Sequence, residues 1–218
     1  MSISLFFGLP GCGKTTILTS IAYRELHNKR SKYKYVYSNV GLAIDGIIYI
    51  DNQCIGMYDI RDALILIDES TLFANSREYM SLSKNLLQYM VMHRHYNVDI
   101  IFFSQRWDSM DKNIRTITDR VYYVYKGMIL GHWFSRYYKI PYGIIIPSGK
   151  KQDGEKLGDI IQGYCKPSFL TRLFSPWIYR PKYYKYFDSW ECPKLKPLPH
   201  KYRAYTSISN DENGVDLT

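Results

Sequence analysis

Five residues, Ile3-Ser4-Leu5-Phe6-Phe7, run directly into Gly8-Leu9-Pro10-Gly11-Cys12-Gly13-Lys14-Thr15, and from Thr15 to Leu26 the apolar positions Ile17, Leu18, Ile21, Ala22 and Leu26 repeat with helical spacing. A short apolar strand, a glycine turn and an amphipathic helix in that order restrict the chain more than any other feature of its 218 residues. The octad from Gly8 to Thr15 satisfies G-x-x-x-x-G-K-[ST] at every fixed position, and it stands in the strand-to-helix context which that pattern requires. Glycines let the backbone curl so that successive N–H groups and the helix N-terminus face an anion, most simply a polyphosphate. Within this Walker A loop, Gly8, Leu9, Pro10, Gly11, Cys12 and Gly13 form the cradle. Lys14 places a charge on the β- and γ-oxygens, Thr15 offers a hydroxyl to Mg²⁺, and Thr16 opens the helix as a packing or supporting position.

Alternation of strand and helix continues past the loop. Tyr35 to Ser38 and Ile47 to Ile50 are predicted strands, and Asp62 to Ile67 is an aliphatic run of the kind found in a parallel strand buried on both faces. Leu82, Leu86, Leu87, Met90 and Val91 place one apolar face on a helix from Leu82 to Arg94. Asp99 to Ser104 is a strand, Asp111 to Ile117 a short helix and Val121 to Tyr125 a further strand. The expected fold is α/β: an open, mostly parallel sheet with helices on both faces, the P-loop NTPase class. After Gly127 the helical units give way to β-prone aromatic stretches around Trp133, Phe134, Tyr137 and Tyr138 and from Tyr142 to Ile146, which predict an antiparallel addition to the sheet. Domain boundaries follow: a P-loop ATPase domain over 1–165 with its core at 1–126 and the β-rich addition at 127–165, a basic aromatic segment at 166–203, and a disordered acidic tail at 204–218.

The strand ending at Ile67 delivers two carboxylates, Asp68 and Glu69. Behind a P-loop, the first is placed to hold Mg²⁺ and the second to orient or deprotonate an attacking water, although adjacent acids can also be a solvated strand end. Gln105 closes the next strand; if the strands beginning at Ile3, Ala63 and Asp99 are neighbours, its amide comes to the γ-phosphate, and otherwise it is polar loop. His93-Arg94-His95 ends the long helix, where positive charge suits the helix dipole. Arg94, Arg106, Arg115 and Arg120 are all candidates for an arginine donated to a neighbouring subunit's nucleotide, and their positions in the sequence do not choose among them.

The formal net charge of +9 is concentrated. Lys166 to Arg203 holds nine Lys or Arg against Asp188 and Glu191, among Trp177, Tyr179, Tyr183, Tyr184, Tyr186 and Trp190, whereas the last fifteen residues hold three acids and no base. A basic aromatic tract of this kind suits nucleic acid or anionic lipid, or is a solvated strip. The four cysteines form no CxxC pair and no metal-ligand spacing, which fits a reducing compartment and indicates neither a zinc site nor a disulfide framework. The N-terminus lacks the basic stretch of a signal peptide, and no apolar run approaches the roughly 20 residues of a membrane span.

Taken in order, the P-loop, Tyr37-Ser38-Asn39-Val40-Gly41-Leu42, Ile67-Asp68-Glu69, His93-Arg94-His95-Tyr96-Asn97-Val98-Asp99-Ile100 leading to Ser104-Gln105, Ile114-Arg115 and Tyr186-Phe187-Asp188-Ser189 resemble the N-terminal ATPase domain of the zonular occludens toxin family. Its members include filamentous-phage assembly proteins. The resemblance implies an ATPase, using ATP and Mg²⁺, that powers assembly and export of a single-stranded DNA phage. It implies a homo-oligomeric motor on the cytoplasmic side of the host inner membrane, whose partners are the phage DNA or its coat and packaging complex. Family members carry a transmembrane helix after this domain and no such helix follows here, so attachment is expected through the basic aromatic segment or a membrane-embedded phage partner. Motors of this class complete each site with an arginine from the next subunit. Arg115, ten residues beyond Gln105 on a short helix expected to project from the nucleotide edge, is the first choice. Two other functions compete with the motor: a small-molecule (nucleotide) kinase, since the same loop serves such enzymes, and an ATP-gated DNA or membrane adaptor without turnover.

Overall fold

The computed structural model describes residues 1–68, 84–107, 110, 112–126, 132–140 and 169–188. Strand β1 (Ile3–Phe7) leads through the glycine loop into helix α1 (Lys14–His27), followed by β2 (Tyr35–Ser38), β3 (Ile47–Tyr49) and β4 (Ala63–Ile67). Helix α2 (Lys84–Val91), β5 (Asp99–Ser104), α3 (Lys112–Ile117) and β6 (Arg120–Lys126) complete the alternating part. Strand β7 (Phe134–Lys139), helix α4 (Phe169–Phe174) and β8 (Trp177–Tyr179) follow, ending in short 3₁₀ turns over Arg180–Lys182 and Tyr184–Tyr186. The sheet runs β3-β2-β4-β5-β1-β6-β7-β8.

From β3 to β6 every pairing is parallel, while β7 runs antiparallel to β6 and β8 antiparallel to β7. This is the expected mostly parallel sheet with an antiparallel addition. All five residues of β1 and of β4 are buried, as strands covered on both faces must be. Alternate side chains feed two separate cores. Ile3, Leu5, Phe7, Ile65, Ile67, Ile100, Phe102 and Val121 meet Leu86, Tyr89 and Met90 of α2 and Ile114 of α3 on one face. Phe6, Leu64, Leu66, Phe103 and Val124 meet Ile17, Leu18, Ile21 and Ala22 of α1 on the other.

Helix α2 ends at Val91, short of the Arg94 expected from the sequence, and its described part starts at Lys84. His93 and His95 lie in the turns that follow; the buried His93 ring meets the Met90 carbonyl through Nδ1 at 2.7 Å. The chain then reverses at Asn97, whose φ of 59° lies in the left-handed region that asparagine tolerates. At this N-terminal edge of the sheet the buried carboxylate of Asp99 accepts hydrogen bonds from the Lys32 ammonium, the Tyr33 hydroxyl and the Ser2 N–H. Burial opposes its ionisation, but these three donors win and hold Asp99 below the usual carboxylate range.

Met1–Phe187 form one compact unit, so the strand β8 and the turns after it, which lie within the segment read as basic and aromatic, belong to the sheet. The predicted strand from Tyr142 to Ile146, Trp190 and the acidic tail lie outside the described residues. Among the described residues no helix is long and apolar enough to cross a membrane.

Candidate functional site

Parallel strands β1, β4 and β5 all finish at one edge, and the side chains singled out by motif converge there because the strands are neighbours. Gly8 leaves β1 with its N–H donating to the carbonyl of Ser104 at the end of β5 (3.3 Å). The loop then turns through Gly11 at φ 70° and Gly13 at φ 91°, conformations that cost an L side chain about 1–2 kcal/mol each. Gly13 starts the helix, its carbonyl accepting the Ile17 N–H at 3.0 Å. No acidic residue of α1 itself occupies its first turn, and the carboxylate that reaches this helix end is that of Asp68, just past the end of β4.

The Lys14 ammonium turns back into the loop and donates to the carbonyls of Gly8 (3.0 Å) and Leu9 (3.2 Å). The Thr15 hydroxyl donates to Asp68 Oδ2 at 2.6 Å. A hydroxyl and a carboxylate held together beside a glycine loop are hard-oxygen donors that would suit Mg²⁺. Asp68 is fixed through its main chain: its N–H donates to Asn39 Oδ1 (2.7 Å), and Asn39 Nδ2 donates to its carbonyl (2.9 Å). Asn39, in turn, is anchored where it leaves β2 by its own N–H donating to the Leu66 carbonyl (3.2 Å).

The outer side of the loop is closed by the antiparallel addition. Ser135 of β7 donates through its hydroxyl to the Cys12 carbonyl at 2.9 Å. The Cys12 thiol is buried, which pushes its pKa up, while Lys14, Arg180 and Lys126 all pull against that shift.

The family model described as Zonular occludens toxin (Zot) matches residues 43–156, just over half of the chain. The chain belongs to the zonular occludens toxin family. Among solved structures, the N-terminal domain of zonular occludens toxin from Neisseria meningitidis is similar at a TM-score of 0.50 and 19% identity, over 86% of this chain and 98% of that one. The genome packaging NTPase B204 from Sulfolobus turreted icosahedral virus 2 gives 0.43 and 12%, over 64% of this chain and 91% of that one. The flagellar accessory protein FlaH from Methanocaldococcus jannaschii gives 0.45 and 13%, over 65% and 78%. No curated protein sequence matches the chain.

In this Zot-family chain the P-loop NTPase fold assigns the motif residues to definite places. Lys14, Thr15 and Asp68 come together, and Thr16 is buried beneath the loop. Gln105, half-buried, follows Ser104 directly and so lies at the start of the loop; β5 stands between β4 and β1, which is the neighbourhood its assignment needed. Glu69 lies outside the described residues.

The four arginines separate. Arg94 meets Asp119 (3.4 Å) and Arg120 opens β6 opposite Ser4, both at the edge away from the loop. Arg106 is exposed just beyond Gln105, and Arg115 sets its guanidinium over the Trp107 ring at 5.8 Å. Helix α3 buries Ile114 in the core and leaves Arg115 half-buried.

Asn39, Lys126, Ser135 and Arg180 escaped the motif-based reading. Asn39 stands in the stretch Tyr37–Leu42 that carries the family resemblance, just after a predicted strand, and Arg180 within the basic tract, but neither position marks a role at the loop.

Proposed function

We propose that this chain is an ATPase that drives the assembly and export of a filamentous, single-stranded DNA phage at the host inner membrane. The observation that carries the hydrolytic part is the Thr15–Asp68 pair beside the lysine of a glycine loop, on a sheet where Gln105 ends the strand between them. The family likeness supplies the phage part. Lys14 binds the β- and γ-phosphates, the loop N–H groups and the helix N-terminus orient them, and Thr15 with Asp68 positions the metal ligands. Bound Mg²⁺ supplies further neutralisation of phosphate charge. Glu69, assigned from sequence, orients the attacking water, and the Gln105 amide reports on the γ-phosphate. The working form is a homo-oligomer, with phage DNA or its coat and packaging complex as cargo. The basic aromatic segment or a membrane-embedded phage protein attaches it to the bilayer.

Phosphate release measured with single-stranded DNA and with anionic vesicles tests this directly. Turnover that requires Lys14 and rises with DNA or vesicles is expected. Glu69→Gln should keep Mg·ATP binding while losing at least a hundredfold in rate, within the usual range for a general base. Wild-type rates in Glu69→Gln would remove that residue from the reaction, and a phosphorylated nucleoside product would replace the motor with a kinase.

A further inference from the structure

We infer that Arg180 and Lys126 form a second cationic wall of the phosphate loop and contact the polyphosphate of a bound nucleoside di- or triphosphate. The inference rests on nucleotide binding at the loop and adds two residues outside the loop motif: Lys126, within the matched stretch of 43–156, and Arg180, beyond it.

Topology brings both groups to the site. Strand β6 is parallel to β1 and ends at Lys126, so its last residue arrives at the loop edge. Two antiparallel steps, β6 to β7 and β7 to β8, return β8 to the direction of β1, so the residue after Tyr179 arrives at the same edge. That residue is Arg180. Its backbone is pinned by its N–H donating to the Trp133 carbonyl (2.8 Å) and by its carbonyl accepting the Tyr183 N–H (2.9 Å), and Pro181 fixes the turn that follows. Its guanidinium lies 5.9 Å from the Tyr184 ring centroid.

Distances to the loop are short. A Cβ placed on Gly13 would stand 3.2 Å from Arg180 Nε, and one placed on Gly11 would stand 3.6 Å from Lys126 Nζ. With Lys14, three cations converge on six residues of backbone, and all three act on the Cys12 thiol between them. Like charges gathered this closely repel one another, and a bound anion of several charges relieves that repulsion. The arginine fork can bridge two phosphate oxygens, while Lys126, exposed at the strand end, acts as a point charge.

The test is calorimetric titration of Mg·ATP, Mg·ADP and AMP into the full chain as wild type, Arg180→Gln, Arg180→Lys, Lys126→Gln and Lys14→Ala, with thermal unfolding as the control for folding. Loss of a charged hydrogen bond is worth about tenfold in affinity or more. Arg180→Gln and Lys126→Gln are each expected to weaken ATP about tenfold, with Arg180→Lys recovering part of the loss. If Arg180→Gln does not fold, Lys126→Gln at its exposed position still decides the matter. ATP affinities within twofold of wild type in the Gln variants, with Lys14→Ala losing binding, would overturn the second wall while leaving the nucleotide site intact. A wild-type chain that binds no ATP would overturn the nucleotide reading itself.

Discussion

The Ser135 hydroxyl reaches the Cys12 carbonyl across 2.9 Å and thereby ties the antiparallel addition to the centre of the phosphate loop. The two residues are 123 positions apart in sequence, so the loop's shape depends on β7 pairing correctly with β6. The glycine loop and the β7–β8 edge of the sheet are therefore coupled through this hydrogen bond.

Gly13→Ala should fail for two separable reasons. Its φ of 91° is strained for alanine, and the new Cβ would fall 1.9 Å from Ser135 Oγ. The expected loss is about 1–3 kcal/mol of stability, the usual cost of such a backbone conformation, together with ATP binding. Adding Ser135→Ala removes the close atom but not the strain, so denaturant titration should find part of the loss restored in the double variant. Full restoration would mean that the φ at Gly13 is not a constraint.

Asp68→Asn and Asn39→Ala should part company. Asn39 holds the main chain of Asp68, not its carboxylate, so Asp68→Asn leaves that clasp intact. Stability should fall by no more than about 1 kcal/mol, since the amide oxygen can still accept from Thr15, while the Mg²⁺ needed for half-maximal ATP binding rises at least tenfold. Asn39→Ala should lose about 1–2 kcal/mol through two broken hydrogen bonds and also weaken Mg²⁺. Unfolding curves and Mg²⁺ titrations of both variants check this, and equal stability losses would refute the division of labour.

Stability in acid should depend on Asp99. Its pKa is depressed in the folded chain, because the donors from Lys32, Tyr33 and Ser2 outweigh burial. A depressed carboxylate stabilises fully above its unfolded pKa of about 4, and that contribution disappears as the pH falls through the lower folded value. Asp99→Asn should therefore cost about 1–3 kcal/mol between pH 5 and 8, as loss of charged hydrogen bonds does, with the gap to wild type closing below about pH 4. A gap independent of pH down to pH 2 would show that the charge is not what stabilises.

How much of this was visible in the sequence varies with how local the cause is. Strands β1, β2 and β5 have the bounds that their apolar runs indicate, because four to six residues ending at a glycine or serine leave little choice. The P-loop and Asp68 were legible for the same reason: each function rests on contiguous residues in a strand-end context. Strand β8 was not, since the three residues from Trp177 to Tyr179 are too few to show a period, and their aromatic and basic neighbours look like a binding surface. Ser135 and Lys126 have no local mark, and Arg180 is marked only as one of the bases of the aromatic tract; all three reach the loop through the order and direction of strands. Helix α2 was overextended because helical spacing continues through His93, where the chain instead turns with its ring against Met90.

Arg94 and Arg120 stand at the edge of the sheet away from the loop, so alanine at either should leave ATP turnover near wild type. Arg115 is the proposed trans-acting arginine, and its guanidinium over Trp107 is close to the β1 end, since Trp107 also packs near Phe7 at 6.2 Å between ring centroids. Swinging outward from Trp107 would give up a cation–π contact worth about 0.5–1 kcal/mol, which a phosphoryl group on a neighbouring subunit readily exceeds. Arg115→Ala should therefore bind ATP as wild type does, unfold at slightly lower denaturant, and lose about a thousandfold in turnover, the lower range for such an arginine. Arg115→Lys should recover the packing but little of the rate, because an ammonium cannot bridge two phosphate oxygens. Mixing separates a role in trans from one in cis. Lys14→Ala and Arg115→Ala should each be nearly inactive alone, and co-assembled they should form some sites with an intact P-loop facing an intact arginine, recovering part of the wild-type rate. Co-assembly without recovery would place Arg115 in its own subunit's packing, and recovery with Arg106→Ala in its stead would move the assignment to that exposed residue beside Gln105.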